Sequence, residues 1–181
     1  ATEAATIEGA GSVFAIDAEH LTNPVASILA PEVIAMADGY SHILGPSTTY
    51  GRDLMPRIAA KLRVNQVNDI SAVENAYHFK RPIYAGNAIV HVQAPESATL
   101  VATVRTASWK EADRTGSATV ESRPAASSAR THTRSVDLTT GGGERPDLLA
   151  ASRVISGGRA LGSPECCHLG GVRGGGGGGG A

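Results

Sequence analysis

Aromatic residues are scarce in this chain, at 4% of its 181 residues, and cysteine occurs only as the adjacent pair Cys166 and Cys167. Neighbouring cysteines rarely form an unstrained disulfide, so the composition predicts an intracellular, reduced protein. No run of about 18 apolar residues occurs, which argues against an integral membrane protein. The core therefore has to be built mainly from Ala, Val, Ile and Leu.

Neither sign of charge dominates, because 16 basic and 17 acidic residues give a formal net charge of -1. A nucleic-acid-binding domain would carry a strongly basic face, so we expect no nucleic-acid partner. The first residues lack the basic and apolar regions of a secretory signal. The chain also lacks an initial Met, which we interpret as either processing or a start within the gene.

Strand-like and helix-like segments alternate in the first third of the chain. A short apolar run at residues 12–16 is typical of a buried strand, and helical spacing follows over residues 25–36. We expect Pro31 to split or kink that helix. A second strand is predicted at residues 40–44, and one apolar helical face at residues 54–62. This succession predicts an α/β fold.

The middle of the chain changes character, with extended runs predicted at residues 67–73, 79–84, 88–92 and 100–105. Strands so close together pair antiparallel more readily than parallel, because parallel pairing needs a long crossover. The predicted fold class is thus α/β, a mostly parallel nucleotide-binding-like sheet with an antiparallel extension.

Apolar density falls beyond this sheet, which suggests the domain boundaries. We assign residues 1–106 to the α/β domain and residues 107–150, rich in Ser, Thr, Ala and Arg, to a linker with at most one short helix. Residues 151–163 read as the opening of a second, cofactor-binding domain. Residues 164–181, which contain a long glycine run, are predicted to be disordered.

A glycine-rich turn after a predicted strand is the first candidate site. Gly157, Gly158 and Arg159 follow that strand, and paired glycines let backbone N–H groups approach a phosphate closely. Arg159 could add a cation beside a cofactor. The full G-x-G-x-x-G spacing is missing, so a plain tight turn stays an alternative.

Other candidate sites carry less weight. Residues 47–51 could hold a nucleotide at a strand end, but we favour an ordinary helix N-cap there. Ser41, His42 and Asp53 include the residue types of a nucleophilic triad without a G-x-S-x-G elbow. The run from Cys166 to His168 offers at most three metal ligands at an unsuitable spacing.

Several motifs together resemble one family, the α subunits of electron-transfer flavoproteins. They are Tyr-Ser-His-Ile-Leu at 40–44, Gly-Arg-Asp-Leu-Met-Pro-Arg at 51–57, Arg-Pro-Ile-Tyr-Ala-Gly-Asn-Ala at 81–88 and Val-Ile-Ser-Gly-Gly-Arg at 154–159. The match is continuous from about residue 30 to residue 109.

The resemblance implies a heterodimeric FAD protein of the mitochondrial matrix or the bacterial cytoplasm. Such a protein is an electron carrier without substrate turnover of its own. It takes electrons from acyl-CoA and related dehydrogenases and passes them to a membrane quinone oxidoreductase. In the family, the N-terminal domain docks against the β subunit and the C-terminal domain carries most of the FAD site. The flavin-contacting residue is expected to be Arg159, joined by Gly157, Gly158 and Ser163.

The chain also departs from the family pattern. It lacks the family's first strand and helix and, beyond residue 163, most of the FAD domain, so FAD binding is expected to be weak or absent. We interpret the glycine-rich end as a truncated or frameshifted sequence, which an intact transcript encoding Gly174 to Gly180 in frame would refute. Two alternatives stay open: a module that only pairs with a β subunit, and a nucleotide-dependent enzyme.

Overall fold

A computed structural model describes residues 1–126 and 136–137. The described part belongs to one compact unit, residues 1–137. The predicted FAD-domain start and the predicted tail lie outside the described residues. The described residues of this unit form three α-helices and eight strands, joined in places by short 3-10 turns. In chain order these are α1 Thr2–Ala5, β1 Ser12–Ile16, α2 Ala26–Ala35, β2 His42–Pro46, α3 Thr49–Leu62, β3 Gln66–Ile70, β4 Ala72–Asn75, β5 His78–Ile83, β6 Ala88–Gln93, β7 Leu100–Val104 and β8 Thr119–Arg123.

The centre of the fold is a parallel sheet in the order β2-β7-β3. Successive side chains of a strand point to opposite faces, and β7 is buried on both. Val101 packs against the helices through Ile58 and Met55 of α3. Leu100 and Ala102 pack on the other face among the side chains that come from β3 and β5. The apolar sequence of β7 reflects this double burial.

The antiparallel extension is a separate sheet in the order β4-β5-β6. It lies within the long connection between β3 and β7. Glu74 of β4 links its three strands, since it pairs with Lys80 of β5 at 3.0 Å and with His91 of β6 at 3.3 Å. The predicted fold class, a mainly parallel α/β arrangement with an antiparallel extension, is confirmed.

One predicted member of the antiparallel set, the run at 100–105, is instead the central parallel strand. The hairpins of β4, β5 and β6 supply the long crossover that parallel pairing of β3 with β7 requires. The short spacing between β6 and β7 in the sequence did not predict their pairing, because β7 returns to the parallel sheet and lies between β2 and β3.

The region predicted as a linker also differs, because residues 119–123 form strand β8, which pairs parallel with β1. Every residue of β8 is exposed, so no hydrophobic pattern marks it in the sequence. A cation–π contact supports the pair, with the Arg123 guanidinium 3.7 Å from the centre of the Phe14 ring. The compact unit accordingly extends past residue 106.

Helix α2 continues through Pro31, so of the two predicted effects of this proline, a split or a kink, the split does not occur. A proline inside a helix removes one hydrogen bond and costs about 3 kcal/mol. The residues on either side, Ala30 and Glu32, are both buried. We attribute the unbroken helix to this packing on both sides of Pro31.

The turn between β5 and β6 is conformationally strained. Tyr84, Ala85 and Gly86 have φ values of 50°, 55° and 92°. Left-handed backbone costs an L-residue roughly 1–2 kcal/mol, and only glycine adopts it freely. Tyr84 is also 78% exposed, so packing offsets little of this strain.

Replacing Ala85 by glycine should therefore stabilise the unit, by about 0.5–1 kcal/mol, since the strain relieved exceeds the added entropy of the unfolded chain. Urea denaturation monitored by circular dichroism measures the change. The matched control is Ala98→Gly, at an exposed loop position without positive φ, which should leave stability unchanged or slightly lower. Equal changes in the free energy of unfolding for the two substitutions would contradict the backbone strain at Ala85.

Candidate functional site

The glycine-rich turn predicted as the cofactor site lies outside the described residues. This concerns Gly157, Gly158, Arg159 and Ser163, whose roles stay predictions. The cysteine pair and His168 lie there too. The geometry of the described part bears instead on the carboxyl ends of the central strands.

Polar side chains gather where β2, β7 and β3 end, since the carboxyl ends of parallel strands meet at one edge of a sheet. Ser47 follows β2, Asp69 lies at the end of β3, and Arg105 follows β7. Open α/β sheets commonly bind ligands at this edge. We call these three residues, together with Thr103 and Arg52, the edge cluster.

Asp69 is the centre of the edge cluster. Its backbone is left-handed, with φ of 61°, a conformation that aspartate tolerates better than most residues. Its backbone N–H donates to Oγ1 of the buried Thr103 at 2.9 Å. The Arg105 guanidinium donates from both Nε, at 3.0 Å, and Nη2 to Oδ2 of Asp69. Strands β3 and β7 are thereby tied together at their carboxyl ends.

The charges of the cluster fix the ionisation of Asp69, whose side chain is only 12% exposed. The hydrogen bond from Arg105 lowers the pKa of the Asp69 carboxyl, against an opposing effect of burial. A hydrogen bond with Ser47 and the charges of Arg105 and Arg52 lower that pKa further. The same hydrogen bond raises the pKa of Arg105. Asp69 is therefore a fixed anion, unsuited to proton transfer at neutral pH.

Residues 47–51, the alternative nucleotide site, form a helix cap, which is the interpretation favoured from the sequence. Thr48 caps α3 by accepting a hydrogen bond from the N–H of Gly51 at 3.2 Å. A Cβ on Gly51 would lie 1.8 Å from the Pro46 carbonyl oxygen, so only glycine fits. The cap engages one of the N–H groups that a phosphate would need.

The suspected triad does not form. The Ser41 hydroxyl and Nδ1 of His42 lie 2.8 Å apart, and Nε2 of His42 lies 2.6 Å from the Ala76 carbonyl oxygen. Because a carbonyl only accepts, Nε2 carries the proton and Nδ1 accepts from Ser41. A carbonyl thus occupies the place of the orienting carboxylate, and Asp53 takes no part in this chain of hydrogen bonds.

The described part of the chain contains neither a candidate metal site nor a candidate membrane-spanning helix. In residues 1–126 and 136–137, no cluster of three or more His, Cys, Asp or Glu side chains could hold a metal ion. No helix in those ranges has the length and apolar character needed to cross a membrane.

Sequence reasoning missed the edge cluster. Asp69 and Arg105 are 36 residues apart, and nothing local marks them as partners. The available signal was a pair of polar residues, Asn68 and Asp69, inside an otherwise strand-like run. Such a pair marks a strand end but does not name the cation that meets it.

Known proteins are similar in sequence to this chain over most of its length. The family model of the electron transfer flavoprotein domain matches residues 1–128. Electron transfer flavoprotein subunit alpha of Paracoccus denitrificans is 41% identical over 165 residues, covering 91% of this chain and 53% of that protein. Its Pseudomonas aeruginosa counterpart is 40% identical, covering 89% and 52%.

A eukaryotic relative shows the same partial coverage. The probable mitochondrial electron transfer flavoprotein subunit alpha of Caenorhabditis elegans is 34% identical over 91% of this chain and 50% of its own length. The chain therefore spans about half the length of the curated relatives it matches. The resemblance found in the motifs is confirmed by these comparisons.

The Asp69 carboxylate predicts a pH dependence of folding. Because its pKa is lowered in the folded state, its stabilisation is complete above the unfolded-state value, near 3.8, and is lost as pH falls through the lower folded-state pKa. Arg105 is 42% exposed, so solvent screening holds the expected loss in Asp69→Asn to about 1 kcal/mol at pH 7.

Urea denaturation between pH 7 and pH 2.5 tests this expectation. The difference in free energy of unfolding between the wild type and Asp69→Asn should be constant above pH 4 and should decrease below it. Asn suits left-handed backbone, so the change removes the charge with little new strain. Asp53→Asn on α3 is the exposed control. A gap that does not vary with pH would contradict the role of the charge.

Proposed function

Because this chain belongs to the electron transfer flavoprotein family, we propose that it acts as an α-subunit electron carrier whose FAD takes electrons from acyl-CoA and related dehydrogenases and delivers them to a membrane quinone oxidoreductase. Its relatives are electron carriers rather than enzymes. The flavin, when bound, supplies the one- and two-electron chemistry, and the protein positions and tunes it.

The observation that carries the proposal is the extent of the match to α subunits. The alignment covers 91% of the chain, so the unaligned residues at the two ends are too few to include the Gly-Gly-Arg turn. The similarity thus reaches beyond residues 1–128 of the family model and into the segment assigned to FAD. Arg159, with Gly157, Gly158 and Ser163, is our proposed flavin contact.

The described unit is poorly suited to hold the flavin itself. At the carboxyl edge, where a dinucleotide would lie, the N–H of Gly51 is engaged by Thr48, and the ionised Asp69 faces the same edge. The capped N–H is not free to bind a pyrophosphate oxygen. The Gly-Gly-Arg turn has the opposite chemistry, since it combines free approach to the backbone with a guanidinium. We therefore place FAD on residues 151–163 and on the partner subunit.

The proposed partner is an electron transfer flavoprotein β subunit, as the subunit naming of the relatives suggests. Relatives occur both in bacteria and in mitochondria. We accordingly propose the bacterial cytoplasm or the mitochondrial matrix as the compartment.

One observation favours a second candidate function. The family model matches residues 1–128, which end before the Gly-Gly-Arg turn. The chain could therefore pair with a β subunit without retaining flavin. Copurification of both chains without flavin absorbance would select this alternative.

Flavin content tests the main proposal. The purified chain alone should contain little FAD, and coexpression with the β subunit should raise the flavin absorbance near 450 nm. In the coexpressed pair, Arg159→Met should weaken FAD binding by about tenfold or more, because it removes a charge-assisted contact.

The matched control is Arg153→Met, which removes the same charge six residues earlier in the chain. Fluorescence titration of the stripped complex with FAD gives both affinities. Stoichiometric flavin on the isolated chain would contradict the dependence on the β subunit. Equal affinities of the two variants would remove Arg159 from the site.

A further inference from the structure

A cavity of about 330 Å³ lies between helix α3 and strands β3 and β5, beside the edge cluster. Its lining is mostly polar: Arg52 and Pro56 of α3, Gln66, Asn68 and Asp69 of β3, and Arg81 of β5. Ligand sites of proteins are concave and start near this volume.

The charge of this lining favours an anion. Two guanidinium groups, of Arg52 and Arg81, face one carboxylate, that of Asp69. Arg105, outside the lining, already engages Oδ2 of Asp69. Arg52 is held only loosely, with Nη2 4.0 Å from Oδ1 of Asp69 and Nε 3.4 Å from the Ser47 hydroxyl. The lining together with its nearest neighbour therefore carries an excess of positive charge.

Arg81 supplies the second cation of the lining. Its Nε is buried, yet it donates no hydrogen bond to any residue of the part that the structure describes. It also has no ion-pair partner within those residues. A buried donor without an acceptor costs about 1–3 kcal/mol, so such groups are rare unless something binds them.

The arrangement of donors favours a phosphate over a carboxylate. One planar guanidinium fork is enough to satisfy a planar carboxylate. Here the cations come from two different elements, α3 and β5, and the side-chain amides of Gln66 and Asn68 add donors from a third. A tetrahedral phosphate offers oxygens in several directions and can meet all of them.

We propose that this cavity binds a phosphate group, held between Arg52 and Arg81, from inorganic phosphate or a small phosphorylated metabolite. The proposal is argued from the cavity lining alone and does not rest on the proposed function. Asp69 sets one wall, and its pairing with Arg105 keeps its charge from opposing the ligand.

Isothermal titration calorimetry of the full chain tests the site, in a low-salt buffer without phosphate. The probes are inorganic phosphate, ribose 5-phosphate and acetate. Arg52→Gln and Arg81→Gln should each weaken phosphate binding by about tenfold, because each removes a charge-assisted contact. Arg57→Gln removes one charge from the exposed face of α3, outside the cavity, and should leave the affinity unchanged.

The proposal is supported if the wild-type chain binds phosphate and both cavity substitutions weaken that binding. Tighter binding of ribose 5-phosphate identifies an organic phosphate as the ligand. Equal affinity for acetate and phosphate overturns the phosphate assignment. Loss of affinity in Arg57→Gln to the same degree reduces the effect to overall charge and overturns the site.

Circular dichroism shows whether each variant folds. Should Arg81→Gln unfold, Arg52→Gln decides alone, because the Arg52 side chain is 64% exposed and its replacement should not disturb the core. Wild-type phosphate binding that Arg52→Gln leaves intact overturns the proposal, as does a wild type that binds no phosphate at millimolar concentration.

Discussion

The contact between Asp69 and Arg105 is the constraint on which the carboxyl edge of the sheet depends. It joins β3 to β7, the central strand, at the point where both strands end. The left-handed backbone of Asp69 directs its N–H to Thr103 while its carboxylate reaches Arg105. A buried hydroxyl and an ion pair thus fix one residue from two sides. The Arg52 side chain lies beside that anchor, between Asp69 and Ser47.

This anchor also divides the chemistry of the chain. The N-terminus of α3 is capped by Thr48, which leaves one N–H fewer for a dinucleotide pyrophosphate at an edge where other α/β folds bind nucleotides. Flavin binding, on our account, falls to residues 151–163 and the β subunit. Arg105 neutralises the aspartate, so Arg52 and Arg81 can hold a smaller anion beside it. We propose that the described unit is a scaffold that also binds a phosphate group.

The sequence predicts those features that have a local cause. Apolar runs locate β1 and β5, and a capping threonine marks the start of α3. Strand β8 has no local cause, since its exposed residues form a strand only through pairing with β1. The direction of β7 depends on the crossover through β4, β5 and β6. The Asp69–Arg105 contact depends on the fold, which brings together two residues that lie 36 positions apart in the sequence. Motifs at 40–62 and 81–88 identified the family without any of this geometry.

A double-mutant cycle on Asp69 and Arg105 tests the central claim most directly. The free energy of unfolding is measured at pH 7 for the wild type, Asp69→Asn, Arg105→Gln and the double variant. If the contact anchors the edge, the two substitutions should be non-additive, with a coupling energy of about 1 kcal/mol. Effects that add to within about 0.3 kcal/mol would show that the contact does not hold the edge, and would contradict the account.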